Sequence, residues 1–188
     1  PYELIVNHLI IKDVLVGDVW LCSGQSNMEL PINRVTDLYR EETEMYENNN
    51  IRYVKTPYGN DVKGPQEDIS KMEWKALTKE TAPGFSALAY FFAKEMYNKT
   101  KVPVGVINSS WGGSTIEAWM SEEALKDFPR NLLERDIFSS DEYRKLINQS
   151  SSMMNAFWDR SLYKGDKGLH DSICWYNTEF DDSNWASI

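Results

Sequence analysis

Residues 2–16 alternate loosely between apolar and polar side chains: Tyr2, Leu4 and Val6, then Leu9-Ile10-Ile11 and Val14-Leu15-Val16. A period near two sends successive side chains to opposite faces, so this stretch predicts β structure. It has no obvious partner nearby and reads as an edge strand or the end of a preceding β-domain. Asp18-Val-Trp-Leu-Cys22 is a short apolar run between polar turns, the pattern of a parallel strand buried on both faces. Ile51–Thr56, stopped by Pro57, predicts a second strand of this kind, and Val102–Ile107, ending at Asn108-Ser-Ser, a third. Between them Phe85, Leu88, Ala89, Phe92 and Met96 recur at helical spacing after Pro83-Gly84, which predicts a helix with one buried face. Strand, helix and strand in this order predict a βαβ crossover and a parallel sheet. Residues 36–48 are polar and charged and predict a helix after the first strand. The Gly-, Pro- and Asp-rich stretch 57–74 predicts a long loop.

The second half reads differently. Ser121-Glu-Glu-Ala-Leu and Ser140-Asp-Glu-Tyr each look like the start of a helix, with a Ser cap and acids in the first turn. From Tyr143 through Leu146, Ile147, Met153, Met154 and Phe157 to Leu162 an apolar stripe continues at helical spacing, broken at Ser150. After Gly165 and Gly168, aromatics separated by turn formers (Trp175, Phe180, Asp181-Asp-Ser-Asn, Trp185) predict β-hairpins of a new domain. The expected division is 1–16 as the end of a β-domain, 17–165 as the main α/β domain, and 166–188 as the start of another module.

Composition narrows the class. The 188 residues are 41% hydrophobic and 13% aromatic, which suits a globular chain with a real core. Lys and Arg number 20 against 29 Asp and Glu, a net charge of −9. That balance argues against a nucleic-acid partner, because phosphate contacts need clustered cations. No apolar run approaches the roughly 18 residues of a membrane span. The chain opens at Pro1 and reads as a mature or trimmed product. Cys22 and Cys174 make neither a disulfide framework nor a metal site, and no cofactor motif is present.

Two constellations carry chemistry. Trp20-Leu-Cys-Ser-Gly-Gln-Ser-Asn-Met28 puts Ser26 just past a buried strand, where a sharp turn exposes a serine at the ligand edge of a sheet. Met28 stands where the second glycine of a Gly-x-Ser-x-Gly elbow belongs, so the local pattern is equally that of a serine capping a helix. Asn108-Ser-Ser-Trp-Gly-Gly-Ser-Thr115 follows another strand and should lie on the same edge. Gly112 and Gly113 let the backbone turn N–H groups toward developing negative charge, or simply make a tight turn. Ser161-Leu-Tyr-Lys164 matches Ser-x-x-Lys without its companion motifs and is read as coincidence.

Gly17–Met28 together with Val104–Trp119 resembles the sialate O-acetylesterase family of the SGNH (GDSL-like) hydrolases, in order and character over residues 2–165. The resemblance implies a three-layer α/β/α sandwich around a parallel, flavodoxin-like sheet, incomplete here at its C-terminus. It implies metal-free removal of O-acetyl groups from sialic acid or related sugars. Ser26 is then the nucleophile. Its N–H and those of Gly112 and Gly113 hold the oxyanion, with Asn108 or Gln25 as a side-chain donor. An acetylated sugar is the implied partner and a periplasmic or secreted location is implied.

One departure matters. The family's base comes from an Asp-x-x-His block, yet Ile5 stands three before His8, and Lys167 three before His170. The tail from Trp175 resembles the β-sandwich inserted in these esterases. The expectation is an N-terminal piece, inactive alone, whose base comes from a downstream segment or a second chain. Two other readings stay open: an acetylxylan-type esterase, and a non-catalytic carbohydrate-binding unit that stacks sugars on Trp111, Trp119, Trp175 or Trp185.

Overall fold

The computed structural model describes residues 1–41, 47–59, 61–62, 64–69, 72–170 and 175–185. Its strands are β1 (Tyr2–Val6), β2 (Leu9–Val14), β3 (Asp18–Gly24), β4 (Asn48–Lys55), β5 (Lys75–Leu77) and β6 (Val104–Ser110). Its helices are α1 (Ser26–Glu29), α2 (Ala87–Thr100), α3 (Pro129–Phe138), α4 (Asp141–Gly165) and α5 (Lys167–His170). The chain divides into two compact units, Pro1–Phe128 and Pro129–Ile188. Residues 129–165, read from the sequence as part of the main α/β domain, belong to the second.

The first unit is built on a mixed, mostly parallel sheet in the order β3-β6-β4-β5. β6 is parallel to both β3 and β4, and β5 pairs antiparallel to β4. The β4–α2–β6 segment is thus the crossover that the apolar pattern predicts. β6 is flanked on both sides, and Val104, Val106, Asn108 and Ser110 are all buried. β3, read from the sequence as buried on both faces, is an edge of this sheet, with Val19 and Leu21 61% and 67% exposed. An apolar run records a strand's average surroundings and says nothing of how many neighbours it has.

Local chemistry fixes the crossover. Ser86 caps α2 by accepting the Ala89 N–H at 3.2 Å, and left-handed Lys101 (φ 59°) closes it by donating to the Tyr97 carbonyl. α2 packs on β4 and β6, with Ala87, Ala89, Tyr90 and Ala93 buried. The buried face expected from spacing included Leu88, but Leu88 is 48% exposed. Small alanines let the helix approach the sheet closely, and Leu88 and Phe92 turn to its flank. There Phe92 meets Trp20 edge to face at 5.1 Å. At the entry to β3, Asp18 donates to the Pro103 carbonyl at 2.9 Å. A Cβ on Gly17 would collide with that carbonyl, so this approach requires glycine.

β1 and β2 form a separate antiparallel hairpin, in agreement with the alternation at residues 2–16. Its turn is Asn7-His8, with Asn7 left-handed (φ 55°). Asp13 accepts both terminal nitrogens of Arg52 at 2.9 Å, joining the hairpin to β4. Ser121–Phe128 makes successive turns, not the helix its Ser-Glu-Glu start suggests: Leu125 donates to Ser121 and Phe128 to Leu125. Pro129 then starts α3, and the residue before a proline avoids helical dihedrals. Most of the helix expected over residues 36–48 lies outside the described residues.

In the second unit Ser140 caps α4 by accepting the Tyr143 N–H at 3.2 Å. α4 runs 25 residues, as the stripe from Tyr143 to Leu162 predicts. Leu146, Met153, Met154, Phe157 and Leu162 are exposed within this unit. The tail differs from expectation: its described residues 175–185 contain turns and no strand. Trp175, Phe180 and Trp185 instead cluster with ring centroids 5.2–5.8 Å apart. Cys174 lies outside the described residues. No helix among the described residues is long and apolar enough to cross a membrane.

Two stability effects follow. Ala93 has no exposure, so Ala93→Leu should wedge α2 off the sheet and cost about 1–3 kcal/mol in urea unfolding; an unchanged midpoint would contradict the close packing. Ser86→Ala removes the cap of α2 and should cost about 1 kcal/mol in the same measurement.

Candidate active site

Parallel pairing in register brings the two sequence constellations together. β3 and β6 align from Asp18↔Val104 to Gly24↔Ser110, and the Trp111 N–H extends the ladder by donating to the Gly24 carbonyl at 3.0 Å. The segments that follow, carrying Ser26 and the Gly112-Gly113 pair, therefore leave adjacent strands at the carboxyl edge of the sheet, where ligands bind in α/β proteins. They touch: a Cβ on Gly112 would lie 3.5 Å from Ser26 Cα and 3.6 Å from Ser26 Cβ. β4 adds a third group at this edge, since Lys55 pairs with Asn108.

The Ser26 turn is held from beneath. Gly24 has φ 149°, in the region glycine alone favours, and a Cβ there would press on Met28 Cβ at 3.3 Å. Ser26 is exposed, and its hydroxyl donates to Gln25 Oε1 at 2.6 Å. Met28 packs against the core, where its sulfur accepts the Ser86 hydroxyl at 3.9 Å. Past the turn, the Leu30 carbonyl accepts the Ala87 N–H at 2.8 Å, and Ile32 donates to the Phe85 carbonyl at 2.9 Å.

Asn108 is fully buried at 0% exposure. Its Nδ2 donates to the Met28 carbonyl at 3.4 Å, and its Oδ1 accepts the Ser110 hydroxyl. It also hydrogen-bonds the Tyr53 phenol, which accepts the Ser86 N–H. The Tyr53 ring stacks on Phe85 with centroids 4.3 Å apart. Burial pushes the Tyr53 hydroxyl above its usual range despite these bonds, so it stays neutral. The same cause pushes the Cys22 thiol up, away from the thiolate that reactivity needs.

Glu29 was not singled out by the sequence reading. It lies three residues after Ser26 and reaches across to the glycine loop. One carboxylate oxygen accepts the Gly112 N–H, and the other accepts Lys55 Nζ at 3.1 Å. Lys55 also donates to the Tyr58 hydroxyl at 2.7 Å, and Tyr58 meets the Trp111 ring at 5.1 Å. Burial alone would raise the carboxyl of Glu29, but the Gly112 N–H and the Lys55 ammonium outweigh it and hold the carboxyl below the usual glutamate range. The available signal was an acid one turn after Ser26, but its two partners are distant in sequence.

Both histidines lie outside β3, β4 and β6. His8 occupies the exposed turn of the β1–β2 hairpin, and His170 ends α5 in the second unit. Gly113 follows Gly112 with φ 79°. Past it, Trp119 Nε1 donates to the Ser114 hydroxyl at 2.8 Å, leaving the indole 43% exposed. Among the described residues no group of three or more His, Cys, Asp or Glu side chains gathers as a metal site would require.

Known proteins share this arrangement of sequence. The sialate O-acetylesterase of Pongo abelii is 37% identical over 127 residues, and the human protein of that name 35% over 127; each match takes in 63% of this chain and 24% of the relative. The chain thus spans about a quarter of the length of these relatives. A crystal structure of a carbohydrate acetylesterase from Xanthomonas citri superposes with a TM-score of 0.59 at 44% identity, covering 65% of this chain and 28% of that one. The family defined as carbohydrate esterases, sialic acid-specific acetylesterases, matches residues 16–186. The chain belongs to the sialic acid-specific acetylesterase family of carbohydrate esterases.

Proposed function

We propose that this chain carries the nucleophile and oxyanion half of a serine esterase that removes O-acetyl groups from sialic acid or a related acetylated sugar. The observation that carries the reading is the contact between two turns from adjacent parallel strands: exposed Ser26 lies against the Gly112-Gly113 loop. Ser26 Oγ attacks the acetyl carbonyl carbon as a base takes its proton. Backbone N–H groups of Ser26 and of the glycine loop receive the negative charge on the carbonyl oxygen. The sugar hydroxyl leaves with a proton, and water then attacks the acetyl-serine to release acetate. Gln25 accepts the Ser26 hydroxyl through Oε1, and its Nε2 is the side-chain donor we favour. Buried Asn108 holds the Met28 carbonyl and Ser110 in this reading, and so fixes both turns from below.

We assign the base to a histidine outside these 188 residues. Neither His8 nor His170 carries the family's Asp three residues before it, since Ile5 and Lys167 stand there. β3 is an edge of the sheet among the described residues, which suits the addition of further strands, and exposed Val19 and Leu21 on one of its faces suit a covering layer. In the whole enzyme these would complete a flavodoxin-like three-layer sandwich.

The test is acetate release from O-acetylated sialic acid by the active esterase that contains this chain. Ser26→Ala should lower the rate by at least about 10⁴-fold, while the 188 residues alone should release little acetate. Full activity in Ser26→Ala would sink the assignment of the nucleophile. Ser26-dependent turnover by the isolated chain would instead place the base within it.

A further inference from the structure

The glycine loop presents two neighbouring N–H groups, but they are not equivalent. The Gly112 N–H is already bonded to the Glu29 carboxylate. Among the described residues nothing accepts from the N–H of Gly113 or of Ser26. An anion forming on substrate cannot share the Gly112 N–H with a carboxylate without bringing two negative charges together. Glu29 is also not the base for Ser26, whose hydroxyl points to Gln25. Its oxygens are committed to the Gly112 N–H and the Lys55 ammonium.

We propose that Glu29 is a positioning residue: bridging Lys55 on β4 to the Gly112 N–H, it fixes the glycine loop against the Ser26 turn and leaves the Gly113 N–H as the loop's oxyanion donor. The inference rests on Ser26 being the nucleophile and deepens that reading. The bridge is tied at both ends. Lys55 is anchored by its place in β4 and by the Tyr58 hydroxyl, with its ammonium 4.5 Å from the centre of the Tyr58 ring. Gly112 is anchored through Trp111, whose N–H is bonded to Gly24. The space is also closed: a Cβ on Gly112 would lie 2.7 Å from the Glu29 carboxylate. A larger residue at Gly112 would therefore have to displace the Glu29 carboxylate. A charge-assisted bond to a backbone N–H is stronger than a neutral one, and a charged carboxylate is what the Lys55 ammonium favours.

In the active esterase that contains this chain, Glu29→Ala should lower kcat by about 10²-fold, the scale of one lost oxyanion donor. KM should stay within about two-fold, because the loss falls on the transition state. Glu29→Gln, whose amide oxygen can accept the same Gly112 bond, should recover most of that kcat. Unchanged kcat in Glu29→Ala overturns the proposal, and so does a Glu29→Gln enzyme as slow as Glu29→Ala. Ser26→Ala separates the two levels. If it remains active, the esterase reading itself fails; if it is inactive while Glu29→Ala keeps full kcat, only the role of Glu29 fails.

A second measurement on the 188-residue chain needs no turnover. With ¹⁵N-glycine labelling, the Gly112 amide proton should lie well downfield at neutral pH and move upfield in Glu29→Ala. Glu29 faces Lys55 from β4, the neutral phenol of Tyr53, and the Gly112 N–H. Its folded pKa is depressed, so the bond is charge-assisted at neutral pH and weakens to a neutral one as pH falls through that depressed value, below the usual glutamate range. The Gly112 signal should shift in that acid window. A signal insensitive to both the substitution and acid overturns the proposal.

Discussion

The parallel, in-register pairing of β3 with β6 is the constraint on which the site depends. Side chains in a parallel ladder advance together, so two strands that start level also end level. Here they end at Gly24 and Ser110. The two halves of the candidate site then follow within a few residues of those ends: the Ser26 turn after one, the Gly112-Gly113 loop after the other. A slip of one residue would carry the loop away from the serine and also send Val104 and Val106 to the wrong face. The buried alternation of β6 therefore guards the geometry of the candidate site, although those valines lie in the core.

A second layer of polar contacts converts alignment into fixed orientation. Asn108 lies beneath the site with no exposure, joined to the Met28 carbonyl, Ser110 and Tyr53. Ser86 serves two ends at once, capping α2 and donating to the Met28 sulfur. Through these groups the crossover helix, β4 and β6 all bear on the short turn that presents Ser26. Above them the Glu29 carboxylate spans from Lys55 to the glycine loop. Buried polar groups are costly unless fully bonded, and here that same requirement fixes where each one points.

Several features of this arrangement are legible in the sequence and several are not. The two strand-to-turn junctions, the crossover and the long helix from residue 141 can be read from apolar spacing and from Ser caps, because these depend on neighbours a few residues away. The exposed flank of α2 at Leu88, the edge position of β3 and the turns at Ser121 and in the tail cannot. Each depends on what packs against the segment from elsewhere. The Trp175–Trp185 segment shows the point: aromatics between turn formers fit a hairpin, but equally a small ring cluster without strands.

By itself, the sequence determined the class of protein, and it singled out Ser26 with Gly112 and Gly113 as candidate site residues. Those are consequences of short-range pattern and of a distinctive pair of motifs. Only the tertiary structure decided that the two motifs touch and that Asn108 is committed inside the fold. It alone brought Glu29 to the Gly112 N–H. The physical reason is distance along the chain: Gly112 lies 83 residues beyond Glu29, and Lys55 belongs to a third strand. No local pattern encodes a contact among three segments; it exists only once the sheet has brought their ends together.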